Sequence, residues 1–447
     1  MRARLRLTTH PLIPLLLLAC LIVAGEMGGL IAQYREDLVT FVVIALFQGA
    51  VWVVAAAKVE RDLNQSPALA IILATAALLR ILALTAPVFL SDDINRYIWD
   101  GRVAAAGLNP YRYIPTDPQL VPLRDALVFP YINRNNYAPT IYPPVAQMLF
   151  LATNYLGGTA LSVKVAFVAI EAAGIGALLI ILRTTWVPRE RILLYSWHPL
   201  PVWEIAGSGH VDAAMVALVA IALAAALTGR RGWSGAALGA ATLVKFFPVV
   251  LVPAMWRPTK ANQWDWRWAT AFIAVIIAAY LPYIDVGWRV FGFLPGYVIE
   301  ENLSAGTGFW LLDLLRRVAP VSLLAYIAAA IGIMGGLSTA ALHSRTDTTA
   351  SLRWAAIIAT VTTVLASPHY PWYFVWLVTL LTVASWWPAW WLTVAAVLLY
   401  CDTKTGHVPL WEGFILYGGF ALLLGIHVAW RNLSARSGVR HGIKRAT

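Results

Sequence analysis

The chain has 447 residues, of which 60% are hydrophobic and only 12% charged, with a mean hydropathy of +0.70. A soluble globular domain carries roughly 25% charged residues, so a conventional water-covered surface is excluded, and long unbroken apolar runs argue against a barrel of short alternating segments. Much of the formal charge of +11 sits at the two termini and in short loops rather than in a basic domain, which fits segments beside anionic lipid and gives no support to nucleic-acid binding.

The expected fold class is an all-α polytopic membrane protein, each span needing roughly 20 apolar residues. The first run, 12–32, ends in a polar turn at 33–37. The second, 38–57, ends in Lys58 and Arg61, and the third covers 67–90. With Arg2, Arg4 and Arg6 inside, Lys58 and Arg61 are inside too, and the end of the third span falls outside. From 91 to 139 no stretch is apolar enough to span. This region is rich in Tyr, Trp and Pro and holds NPYRYIP (109–115) and FPYINRNNYAP (129–139), so it reads as an ordered cap rather than a tether.

Residues 141–156 open with Pro143 and Pro144 and suit a helix near the outer interface; 161–182 is a span, followed by Arg183, Arg189 and Arg191. The run 192–205 ends in GSGHVD (207–212), and 213–227 returns to Arg230 and Arg231. The stretch 233–256 is interrupted by Lys245 and Pro248 and flanked by Arg257 and Lys260. Keeping both flanks inside requires a hairpin-like passage with Lys245 at its bend; a simple span inverts everything downstream. Sequence leaves both open. Under the hairpin reading 268–283 exits, 285–317 is an outer loop with Glu300, Glu301 and Asn302, and 321–342 and 354–366 span. SPHYPWY (367–373) is then external, followed by 374–384, 390–400, 413–430 and a basic tail carrying Arg436, Arg440, Lys444 and Arg445. The expectation is one integral domain over 1–430 with about 11 to 13 passages: N-terminal spans in 1–90, an extracytoplasmic catalytic loop in 91–140, the remaining bundle in 141–430, and a cytoplasmic tail in 431–447. Cys20 and Cys401 suggest neither a disulfide framework nor a metal site.

The chemistry concentrates in SDDINRYIWDG (91–101). If 93–105 is helical, Asp93, Arg96, Tyr97 and Asp100 share one face. Ser91 or Asp92 suits the N-cap, with Asp92 preferred, while Asp93 faces a pocket at the water–membrane boundary and Asp100 orients an arginine. Other polar islands fall on the same side: Arg112, Arg134, His210 with Asp212, Lys245, and His369 beside Tyr370 and Tyr373. Ionisable groups at membrane depth are costly unless paired or functional. His210 and Asp212 are either an internal pair or contacts to a polar substrate. Lys245 either snorkels or serves as a phosphate counter-charge, and His369 is either an interfacial histidine or a phosphate or sugar ligand. There is no HExxH, no G-x-S-x-G elbow and no P-loop, so no metal or cofactor is called for. A carboxylate, several cations and many aromatic rings suit group transfer from a lipid phosphate to a hydroxyl.

These segments resemble the polyprenyl-phosphate-sugar-dependent glycosyltransferases of the GT-C superfamily, in their bacterial mannosyltransferase-like branch. The resemblance rests on SDDINRYIWDGRVAAAGLNPYRY (91–113), IYPPVAQ (141–147), WHPLPVWEIAGSGHVDA (197–213), LVKFFP (243–248) and SPHYPWYFVW (367–376). It implies a GT-C-like transmembrane bundle with interfacial helices in its extracytoplasmic loops. It further implies a catalytic Asp at Asp93 with Asp92 as its neighbour, and lipid-phosphate contacts at Lys245 and His369, with Arg96 and Arg134 secondary. The implied reaction is inverting transfer of a sugar, mannose by preference, from a polyprenyl-phosphate-sugar donor lipid to a glycolipid or polysaccharide acceptor. The implied location is the inner (plasma) membrane, with the site facing the periplasm or exterior. Three spans precede the loop where the family core begins with one, so two are an elaboration. A transporter or lipid-linked sugar flippase is the alternative; it calls for two related halves, and none is apparent.

Overall fold

The computed structural model describes residues 12–62, 66–257, 264–344, 349–384, 386–401 and 408–436. Arg2, Arg4, Arg6, Lys260, Arg440, Lys444 and Arg445 lie outside the described residues. Among those described the protein is all-helical, 76% helix with no strand, as lipid demands of a chain that must satisfy its backbone polar groups internally. Among the described residues six helices are long and apolar enough to cross a membrane: Leu12–Tyr34, Leu38–Val59, Ala160–Thr184, Trp266–Glu300, Leu323–His343 and Leu410–Ser434. Five shorter apolar helices accompany them, Pro67–Ala83, Asp212–Leu227, Ala350–Ala366, Pro371–Val383 and Trp387–Tyr400.

Helices α1 (Leu12–Tyr34) and α2 (Leu38–Asp62) form a hairpin, and α3 (Ser66–Ala83) packs on α1. The sequence carries the third apolar run to residue 90, yet α3 stops at Ala83. Pro87 lacks an N–H and disfavours helix in the residue before it, so the chain enters 84–92 without regular structure. Tyr34 Oη donates to Thr85 O at 2.5 Å, which brings the α1–α2 turn and the end of α3 to one face of the bundle. At the same face Lys164 Nζ, on α6 (Ala160–Thr184), donates to Ala86 O at 2.6 Å. Deeper, Arg80 of α3 grips Glu171 of α6 through both carboxylate oxygens, at 3.0 and 2.7 Å.

The passage around Lys245 turns back on itself. A helix spans Arg231–Thr242, breaks at Leu243, and resumes as a 3-10 turn over Phe247–Leu251 with Pro248 near its start. Arg231 Nη2 donates to Met255 O at 2.8 Å, so the two ends of the excursion meet. This is the hairpin alternative, with Lys245 at the tip. Two glycines permit its close packing: a Cβ on Gly235 would stand 2.1 Å from Trp268 O, and one on Gly239 2.9 Å from Phe272 O. Without a hydrophobic drive between helices in lipid, such small-residue contacts carry association.

Candidate active site

Helix α4 (Asp93–Ala105) begins where the irregular segment after α3 ends, and packs on α5 (Pro144–Tyr155). Gly101 makes the crossing close, because a Cβ there would lie 2.2 Å from Phe150 O. The cap differs from expectation. Asp92 occupies the N-cap position with helical backbone angles and no side-chain cap bond. Ser91 Oγ instead accepts from the Asp93 N–H at 3.3 Å. Asp92 cannot cap while its carboxylate is turned to Asn133, whose Nδ2 donates to Asp92 Oδ1 at 3.2 Å and to Asp93 Oδ1 at 2.9 Å.

Asp93 faces a cavity of about 820 Å³ that is also lined by Asp92, Arg96, Arg134, Lys245, Tyr370 and Tyr373. Its side chain keeps 19% of its surface open, and Tyr142 Oη donates to its Oδ2 at 3.2 Å. Burial first, then the Asp92 charge, raises the Asp93 pKa above the usual carboxylate range, against smaller opposing pulls from Lys245, Asn133 and Arg134.

The remaining groups sort by position. Arg96 reaches the cavity while its Nε holds Asp100 Oδ1 at 3.1 Å and its Nη2 donates to Ala138 O at 3.1 Å. Asp100 is buried behind it, accepting also from Gln147 Nε2 at 3.1 Å, and so orders the 138–147 segment without reaching the cavity. Arg134 sits at a positive φ of 57° and pairs with Glu300 through Nε, with Glu301 Oε1 at 3.7 Å. Arg112 pairs with Asp285 at 2.5 Å, away from the cavity lining.

His210 and Asp212 do not pair with each other. Asp212 is buried against Lys245, with Nζ 2.7 Å from Oδ2. His210 points toward Asp93, Nδ1 lying 3.9 Å from Oδ2, and stacks on Trp372 at 4.3 Å. Lys245 therefore does not snorkel: it is held by Asp212, lies 4.7 Å over the Tyr373 ring and lines the cavity. His369 lines an adjoining, mostly apolar pocket of about 200 Å³, with Nε2 2.8 Å from Glu301 Oε2. Tyr373 Oη and Tyr297 Oη, 2.9 Å apart, separate the two spaces.

The sequence placed Glu300 and Glu301 in an outer loop without assigning them to the site, and gave no role to Asn133, Tyr142 or Tyr297. The NRNN and EEN strings were the local signals, but their partners are distant: Arg134 and Glu300 are 166 residues apart.

A family model described as alpha-(1->6)-mannopyranosyltransferase, N-terminal domain, matches residues 21–258, just over half of the chain. The chain belongs to this mannosyltransferase family. No curated protein and no solved structure matches it. The mannosyltransferase is thus a membrane enzyme that transfers a mannosyl unit.

The matched stretch carries Asp93, Arg134, His210, Asp212 and Lys245, whereas Glu300, Glu301 and the 369–373 aromatics come from beyond it. In the mannosyltransferase the cavity therefore joins a carboxylate of raised proton affinity, three cations held by neighbouring acids, and aromatic faces. Chemically, a set of this kind is able to accept a proton at one side and to offset negative charge at the other. Among the described residues no group of three His, Cys, Asp or Glu side chains is arranged to hold a metal ion.

Proposed function

We propose that the mannosyl donor is a polyprenyl-phosphate-mannose and the acceptor a hydroxyl of a glycolipid or cell-envelope polysaccharide, joined with inversion by Asp93 as general base. Asp93 takes the acceptor O–H proton as that oxygen attacks the anomeric carbon. The carbon–oxygen bond to phosphate breaks, and its electron pair leaves on the phosphate. Lys245 and Arg134 offset the developing charge, a contribution of the kind worth several kcal/mol in a water-poor site. The family's description is of an α product, and inversion to α requires a β-linked donor.

The observation that carries this reading is the sharing of one cavity by Asp93, Lys245 and Arg134. The cavity opens at the α3–α4 end of the bundle, whereas Arg183, Arg231 and Arg257 lie at the far ends of their segments. Basic ends favour the cytoplasmic side, so the site faces the periplasm or exterior of the inner membrane, where nucleotide sugars are not supplied and a lipid-carried sugar is.

The test offers the purified protein, in lipid nanodiscs with a mannoside acceptor, either a β-linked polyprenyl-phosphate-mannose or GDP-mannose. Transfer from the lipid-linked donor alone is expected, with an α-linked product. Transfer from GDP-mannose alone overturns the donor assignment, and a β-linked product overturns inversion from this donor.

A further inference from the structure

Asp92 and Asp93 are neighbours in sequence, and adjacent residues of a helix do not turn their side chains toward each other. Both carboxylates nevertheless converge on one amide. Asn133 Nδ2 lies 2.9 Å from Asp93 Oδ1 and 3.2 Å from Asp92 Oδ1. A side-chain amide nitrogen carries two protons, so one N–H serves each acid. Cations do not take this place. Arg96 is held by Asp100, Arg134 by Glu300 and Lys245 by Asp212. Among the described residues neither Asp92 nor Asp93 has a lysine or arginine at ion-pair distance.

Asn133 is itself held in place. It follows the 3-10 turn Phe129–Tyr131, and the loop is tied to the first turn of α4 on either side of it. Asn95 Nδ2 donates to Tyr131 O at 3.3 Å, and Arg96 Nη2 to Ala138 O at 3.1 Å. Arg134, next in the chain, adopts its positive φ of 57°, a strained conformation of the kind kept where the surroundings over-determine it. From the other side Tyr142 Oη donates to Asp93 Oδ2 at 3.2 Å. Each Asp93 oxygen therefore has one fixed donor and keeps a second lone pair for an incoming hydroxyl.

We propose that Asn133 is a positioning residue for mannosyl transfer, its one amide holding two adjacent carboxylates together and fixing the direction in which Asp93 meets the acceptor hydroxyl. The inference rests on Asp93 being the base. Asn133 gives and takes no proton in the transfer; it acts through Asp93. A hydrogen bond to a carboxylate favours its charged form, and a like charge beside it disfavours that form. Burial and then the Asp92 charge raise the proton affinity of Asp93, and the Asn133 amide works against them. The other charged or titratable groups facing Asp93 are Arg134 from the same loop, Lys245 from the hairpin tip, and His210 at 3.9 Å. Tyr97, Tyr142, Tyr370, Tyr373 and, farther in, Tyr400 complete the surroundings. Substitution at Asn133 leaves all of these in place, so a change in the titration of Asp93 reports the amide.

The test measures kcat, KM and the pH profile of kcat/KM for transfer from polyprenyl-phosphate-mannose to a mannoside acceptor. It uses full-length Asn133→Leu and Asn133→Ala, each alone and combined with Asp92→Asn, beside Asp93→Asn. Leu keeps the outline of the amide without its donors; Ala serves for the case where Leu does not fold. The acid limb of the profile reports the base of the free enzyme. Expected in either single variant are a limb about one pH unit higher, a plateau kcat about tenfold lower, and KM for both substrates within about threefold. Adding Asp92→Asn should return the limb to its wild-type position or below, because the charge that the amide offsets is gone. A folded Asn133 variant with the wild-type limb overturns the proposal, as does a limb that stays high once Asp92 is neutralised; packing alone predicts a lower melting temperature and neither movement. Wild-type transfer by Asp93→Asn overturns the base assignment and this inference with it. Loss of transfer in Asp93→Asn beside wild-type profiles in the Asn133 variants overturns this inference alone.

Discussion

Lys245 Nζ lies 2.7 Å from Asp212 Oδ2, and the two side chains are 11% and 0% exposed. The pair joins the tip of the broken hairpin to the first turn of the helix Asp212–Leu227, so it supports the fold and charges the cavity wall at once. Removing one member of a buried pair leaves the other uncompensated, at about 3–5 kcal/mol, whereas replacing both with neutral groups is far milder.

The two roles separate by mutation. Lys245→Met should lower thermal stability in detergent sharply, and adding Asp212→Asn should restore most of it. On the proposed function, both proteins should transfer mannose about 100-fold more slowly, because neither would offer a donor phosphate a counter-charge. Recovery of transfer together with stability in the double variant would make Lys245 a packing residue only.

Asp93 provides a pH test with a defined sign. Burial and the Asp92 charge raise its folded pKa above its unfolded value, so the folded state holds the proton more tightly. Stability therefore declines as pH rises from the ordinary aspartate value, about 3.9, through the raised one, and the cost of the charged form is fully present above it. Asp93→Asn should melt no lower than wild type at neutral pH and should lose this slope. Calorimetry or tryptophan fluorescence across that range decides; a variant that melts lower at neutral pH would make the carboxylate a structural group.

The bounds of α4 were legible because Asp93, Arg96, Tyr97 and Asp100 follow helical spacing, and the family resemblance followed from short motifs. Lys245 in an apolar run before Pro248 signalled a bend, but not its direction, which depends on Gly235 and Gly239 meeting another helix. The Asp92 cap failed because Asn133, 41 residues away, claims its carboxylate. Local pattern thus locates the helices, while pairings between distant loops need the packed bundle.

Arg134 and Glu300 give a contrasting case, with side chains 27% and 30% exposed. A partly solvated pair contributes only about 0–1 kcal/mol to stability, so Arg134→Ala should fold normally. It should lower kcat/KM for the donor about tenfold, roughly 1.4 kcal/mol of transition-state stabilisation. An unaltered kcat/KM would remove Arg134 from phosphate recognition.

Gly101→Ala tests how closely α4 must approach α5. The added methyl meets Phe150 O at 2.2 Å, a backbone atom that does not yield easily. A cost of about 1–3 kcal/mol is expected, together with a fall in kcat as Asp93 shifts. Gly176→Ala, where nothing lies within 4 Å, should be silent in both assays and serves as the control.

The most direct measurement is mannosyl transfer from polyprenyl-phosphate-mannose by purified Asp93→Asn, beside Asp92→Asn and wild type. Loss of transfer by at least 100-fold in Asp93→Asn, with the protein still folded and Asp92→Asn largely active, is the predicted result. Wild-type turnover by Asp93→Asn would contradict the account, and loss confined to Asp92→Asn would move the base to the neighbouring carboxylate.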